Sequence, residues 1–73
     1  MTNQIESIQV SITSEQFEGI KNRYSDVRMF ETDLSNSKRT LYDVYIEDVC
    51  IFSLNHSEWF DGDNVYERFT ITF

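Results

Sequence analysis

The chain has no alanine or proline, and only two glycines and one cysteine among its 73 residues. A single cysteine cannot form an internal disulfide, which favours a reducing, cytoplasmic setting. No apolar run approaches the ~18–20 residues that a membrane-spanning helix needs. Residues 1–20 also lack the basic start and apolar stretch of a signal peptide. The sequence therefore predicts a cytoplasmic protein without a membrane segment.

Basic residues are also scarce. Six lysines and arginines stand against 13 acids, for a net charge of −7. This balance argues against electrostatic binding to nucleic acid or to an anionic membrane surface. Phe, Tyr, Met, Ile, Asn and Lys make up 26 of the 73 residues. These residues have AT-rich codons, so the composition indicates a gene from a low-GC bacterium or its virus.

The length allows one small domain, residues 1–73, with a thin core. The clearest local signal is a capping box, in which Thr13 is followed three residues later by Gln16. Ile12 before the cap can pack on Phe17. We therefore expect a short helix that begins at Ser14 and ends between Tyr24 and Asp26.

The rest of the chain has the pattern of β-strands. Apolar and polar residues alternate from Ser7 to Ile12, which predicts the first strand. We expect further strands at residues 27–34, 39–46, 49–54 and 65–73, a tight turn at Glu47-Asp48 and a loop at residues 55–64. The expected fold is a small single α+β domain of β-α-β-β-β-β order. Its sheet is mostly antiparallel with one short helix on one face, and the register of residues 27–46 stays open.

Charge is segregated along the chain. Five of the six bases lie within residues 21–39, whereas residues 40–73 carry seven acids and only Arg68. The acids, with two aromatic residues of the expected loop, are candidates for contact with a basic partner. Alternatively, the two aromatic residues cap an open end of the core. The candidate partner-binding residues are Asp43, Glu47, Asp48, Glu58, Trp59, Phe60, Asp61, Asp63 and Glu67.

The residues that could support metal binding or catalysis are few. His56 and Cys50 are the only soft ligands, whereas a zinc site normally takes three or four such ligands. The segment Asp61-Gly62-Asp63-Asn64 lacks the spacing of a calcium loop and is typical of a turn. There is no glycine-rich phosphate loop and no nucleophile elbow. We expect no metal, no cofactor and no catalytic residue, and hence a protein that is not an enzyme.

These features favour a small acidic protein, encoded by a phage or mobile element, that inhibits a nucleic-acid-handling defence enzyme. It would bind the basic surface of that enzyme directly, without contacting nucleic acid or membrane. In general character, though in no motif, it is similar to anti-CRISPR and anti-restriction inhibitors. Two alternatives remain open. One is an antitoxin or immunity protein that neutralises a basic nuclease. The other is a homo-oligomeric structural or accessory phage protein, for which a homodimer would cover the second face of the sheet.

Overall fold

The computed structural model describes residues 8–73, which form a five-stranded sheet and one helix. The sheet has the order β1-β5-β4-β3-β2, and every neighbouring pair is antiparallel. The prediction of a small α+β domain with a mostly antiparallel sheet is therefore confirmed. Within these residues, no helix has the length and apolar composition needed to cross a membrane. The elements are β1 (Gln9–Ile12), α1 (Ser14–Lys21), β2 (Asp26–Leu34), β3 (Ser37–Ile46), β4 (Val49–Asp61) and β5 (Asn64–Thr72).

Helix α1 begins where its cap predicts. The backbone N–H of Gln16 donates to Thr13 Oγ1 at 3.1 Å, and the N–H of Thr13 donates to Gln16 Oε1 at 2.9 Å. The helix ends at Lys21 and is capped by Asn22, so the predicted end at Tyr24 to Asp26 is wrong. Tyr24 has the spacing of the apolar stripe, but it packs edge-on against Phe52 from the segment after the helix, at 5.4 Å between ring centroids.

The two faces of the sheet have different surroundings. Residues directly opposite each other on antiparallel strands point to the same side. Tyr42, Leu54 and Ile71 are opposite one another, and Phe17 of α1 packs on this side, which we call the helix face. Leu41, Asn55 and Thr70 form the neighbouring row and point to the other side, which we call the open face.

The core is small because α1 is short. Eight helical residues span about 12 Å, whereas the 13 residues of β4 span about 40 Å. The helix therefore covers only the middle of the helix face. Phe17, Val44, Leu54 and Ile71 are buried there.

The loop predicted at residues 55–64 is wrong. Strand β4 continues to Asp61 and pairs with both β3 and β5 along this stretch. Only Gly62 and Asp63 form the turn, and Gly62 has a φ of 62°. The sequence suggests a loop because polar residues lie on both sides of the strand. The helix covers this stretch only as far as His56, which packs against Phe17, so polar residues are tolerated on both sides beyond it.

The predicted tight turn at Glu47-Asp48 is confirmed. Both residues have a positive φ, 50° for Glu47 and 65° for Asp48. This is the geometry of a two-residue type I′ hairpin, which matches the twist of the flanking strands. A register shift between Val44 and Tyr45 precedes the turn.

Phe17 is the side chain that joins the helix to the sheet, with a 1% exposed surface. Replacing it should open a cavity under α1, so Phe17→Ala should lower the free energy of unfolding by about 3–5 kcal/mol in urea titrations. Phe30→Ala is the matched control, because Phe30 on edge strand β2 is 55% exposed. We expect it to cost less than about 1 kcal/mol. Equal losses would contradict a core centred on Phe17.

Candidate functional site

A row of charged side chains crosses four strands on the helix face, beyond the end of α1. Asp33 of β2 is opposite Lys38 of β3, Lys38 is opposite Glu58 of β4, and Glu58 is opposite Glu67 of β5. Strands lie about 4.8 Å apart, so these charges are close neighbours. Three carboxylates and one ammonium group therefore share one strip of the sheet.

Three more carboxylates lie near this strip, one on the helix face and two at the neighbouring β4–β5 turn. Glu31 lies two residues from Asp33 on β2, and its Oε1 is 3.4 Å from Lys38 Nζ. Asp61 and Asp63 flank Gly62 at the β4–β5 turn, next to the β2–β3 turn. The backbone N–H of Phe60 donates to the carbonyl of Asn36 at 2.9 Å and holds these two turns side by side. We call the six residues Glu31, Asp33, Glu58, Asp61, Asp63 and Glu67 the acidic end.

The neighbouring carboxylates raise the pKa of Lys38. The hydrogen bond to Glu31 is the largest cause that raises the pKa of Lys38, followed by the charges of Glu31 and Asp33. The charge of Glu58 adds in the same direction. Lys38 therefore stays protonated and offsets one negative charge, so the acidic end has a net charge of about −5.

The other predicted acids lie elsewhere. Asp43 is on the open face, where the hydroxyl of Ser53 donates to its Oδ1 at 2.6 Å. Glu47 and Asp48 form the β3–β4 turn at the opposite end of the sheet, where Asp48 lies 3.8 Å from Arg28. The structure thus brings together four of the seven predicted acids and adds Glu31 and Asp33.

The two predicted aromatic residues point in opposite directions, because they are neighbours on a strand. Trp59 is on the open face, stacked on Tyr66 with ring centroids 5.8 Å apart. It borders an open cavity of about 410 Å³, lined by residues that include Thr32, Leu34, Arg39, Ser57 and Arg68. Within residues 8–73, Arg39 and Arg68 form no ion pair. At this end of the sheet, the row of Asp33, Glu58 and Glu67 thus lies on the helix face, whereas Arg39, Arg68 and Trp59 lie on the open face.

Phe60 is on the acidic side of the sheet. It lies opposite Val65, one step beyond the pair of Glu58 and Glu67. Phe60 is 43% exposed and Val65 is 59% exposed. An exposed apolar pair thus stands between the acidic row and the turn that carries Asp61 and Asp63.

His56 also belongs to this region, although the sequence does not connect it to the acids. It lies two residues before Glu58 on the helix face, and its Nε2 is 3.4 Å from Glu58 Oε1 and 3.2 Å from Glu67 Oε1. A loop at residues 55–64 would not place these residues together, because only the pairing of β4 with β5 brings Glu67 beside His56. The alternation of His56, Glu58 and Phe60 is the one sequence signal for a strand that carries them on one face.

Trp59 lies outside the core, so its removal should leave the fold intact. We expect Trp59→Ala to cost about 0.5–2 kcal/mol in unfolding free energy, mainly from the lost stacking on Tyr66. A double-mutant cycle with Tyr66→Ala should give a coupling of about 0.5–1.5 kcal/mol. A loss as large as that of Phe17→Ala would instead support the alternative that Trp59 caps the core.

No protein-family model, curated protein or solved structure matches the chain.

Proposed function

We propose that this chain is a binding protein that inhibits a nucleic-acid-handling enzyme by occupying its basic surface with the acidic end. The observation that carries the proposal is the gathering of six carboxylates at one end of the sheet, with Lys38 as the one base in their row. A basic groove that binds phosphates would attract the same arrangement of negative charge. The proposal involves no catalysis and no direct contact with nucleic acid.

The charges would govern the encounter more than the final affinity. Each exposed ion pair contributes about 0–1 kcal/mol, and salt screens such pairs over ~8–10 Å. Charge complementarity mainly speeds association and makes it sensitive to salt. Tight binding needs an apolar anchor as well, and aromatic residues commonly serve this purpose. Phe60, exposed beside Glu58 and Glu67, fits this part.

One further observation favours a second candidate, a homo-oligomer. Edge strand β2 is nine residues long and exposes Met29, Phe30 and Leu34. An edge strand offers unpaired backbone groups to another chain. Self-association through β2 would persist in 1 M NaCl, whereas docking of the acidic end would weaken, so sedimentation equilibrium at two salt concentrations separates the two candidates.

The acidic end can be tested by removing its charge. We expect the variant Glu58→Gln, Asp61→Asn, Asp63→Asn, Glu67→Gln to lose about tenfold or more of its capture of basic proteins from nuclease-treated low-GC bacterial lysate. Captured proteins should be nucleic-acid-binding, leave the resin between roughly 0.15 and 0.5 M salt and be displaced by added duplex DNA. Mass spectrometry identifies and quantifies them.

The control variant has the same net charge. It carries Glu15→Gln, Glu18→Gln, Glu47→Gln and Asp48→Asn, which lie on α1 and at the opposite turn. It should capture the same proteins as the unmodified chain. Equal loss in both variants would mean that net charge alone matters. Capture that duplex DNA does not displace would also overturn the proposal.

The neighbouring aromatic residues provide a second test. Phe60→Ala should weaken capture by about fivefold or more, because it removes the anchor beside the acids. Trp59→Ala should leave capture unchanged, because Trp59 points to the open face. Binding assays on the captured protein give both dissociation constants. The reverse result would place the partner on the open-face cavity and contradict docking through the acidic end.

A further inference from the structure

Three ligating atoms from two neighbouring strands converge on the helix face. They are His56 Nε2, Glu58 Oε1 and Glu67 Oε1, and all lie within 4.8 Å of one another. The histidine nitrogen is 3.2 Å from the Glu67 oxygen and 3.4 Å from the Glu58 oxygen. Such a mixture of imidazole and carboxylate is the donor set that zinc and other divalent transition ions accept.

The strand register places the carboxylates of Glu58 and Glu67 next to each other. Glu58 and Glu67 are directly opposite each other in the β4–β5 ladder. Like charges in this position destabilise a sheet unless a positive charge lies between them. Lys38 is opposite Glu58 on the other side, but its ammonium group bonds to Glu31. The space between Glu58 and Glu67 is therefore a favourable position for a cation.

The histidine ring is held in place by aromatic neighbours. It stacks on Phe69, at 4.4 Å between centroids and an interplanar angle of 12°. The ring of Phe17 lies 6.0 Å away at a tilt. The His56 side chain is only 20% exposed. The core thus fixes the ring plane and directs Nε2 towards the two carboxylates.

We propose that His56, Glu58 and Glu67 form a binding site for one divalent transition-metal ion, with zinc as its representative. In a tetrahedral site, bonds of about 2.0–2.2 Å hold the ligand atoms of one ion roughly 3.3–3.6 Å apart. The histidine–carboxylate distances of 3.4 and 3.2 Å are close to this spacing. The half-exposed Glu67 side chain is free to adjust the distance between the two carboxylates. The nitrogen ligand favours zinc over magnesium, which prefers oxygen ligands and retains its waters. Three protein ligands leave further positions to water. Glu58 and Glu67 also belong to the acidic end, but zinc binding to the chain alone requires no docked partner.

Without a metal, the same geometry suits a hydrogen bond between His56 Nε2 and Glu67 Oε1, which are 3.2 Å apart. The two arrangements differ in their response to zinc, because a ligating nitrogen must give up its proton to the solvent.

The test is to titrate untagged protein with zinc chloride and to measure binding by isothermal titration calorimetry. A Cys50→Ser background removes the exposed thiol as a competing ligand. His56 is the only histidine of the chain, so its ¹⁵N ring signals report directly on ligation. We expect one zinc ion per chain, a shift of the Nε2 signal on addition of zinc and no comparable shift with magnesium chloride.

Variants assign the site. His56→Gln and Glu67→Gln should each weaken zinc binding by about tenfold or more. Asp63→Asn is the matched control, since Asp63 is an exposed carboxylate of the acidic end at the β4–β5 turn and lies outside the triad. It should bind zinc as the unmodified chain does. Circular dichroism checks the fold of each variant. If His56→Gln does not fold, Glu67→Gln still tests the site, because the half-exposed Glu67 side chain is not part of the core.

Three outcomes would overturn the proposal. The first is the absence of zinc binding. The second is an equal loss in Asp63→Asn, which would indicate diffuse attraction to the acidic end. The third is an unchanged Nε2 signal on addition of zinc, which would leave His56 as a hydrogen-bond partner of Glu67 only.

Discussion

The packing of Phe17 between the helix and the sheet is the contact on which the other features depend. Its ring lies 5.0 Å from Phe69 and 5.4 Å from Tyr42, measured between centroids. This contact fixes an eight-residue helix over the middle of one face. Because the helix is so short, both ends of that face and the whole open face remain without a helical cover. The exposed surfaces, and with them the candidate sites, follow from this limit.

The sheet end beyond the helix combines opposite properties on its two sides. Carboxylates occupy the helix face, while Arg39 and Arg68 occupy the open face with Trp59. Alternation along β3, β4 and β5 produces this separation, since neighbouring residues point to opposite sides. A partner with a single binding surface would therefore meet either the acids or the arginines. Phe60 makes the acidic side the one with an apolar anchor.

Local patterns predicted those parts of the fold that depend on neighbouring residues. The capping box located the start of α1, and the pair Glu47-Asp48 located a two-residue turn. The apolar run at residues 49–54 indicated a central strand, as β4 is. The helix end was misplaced because Tyr24 fits the helical spacing although it contacts Phe52 from outside the helix. Residues 55–64 were misassigned because polar residues on both sides of this stretch leave no apolar alternation.

The sequence by itself determined the sign and the segregation of charge, the α+β class and the presence of one short helix. Composition and spacing of a few residues are sufficient for these properties. The grouping of side chains was decided by the tertiary structure. His56 and Glu67 are 11 positions apart, and only the β4–β5 register places them 3.2 Å from each other. Register also set Asp43 apart from the acidic end, since pairing between strands, and not proximity in the chain, determines which side chains share a face.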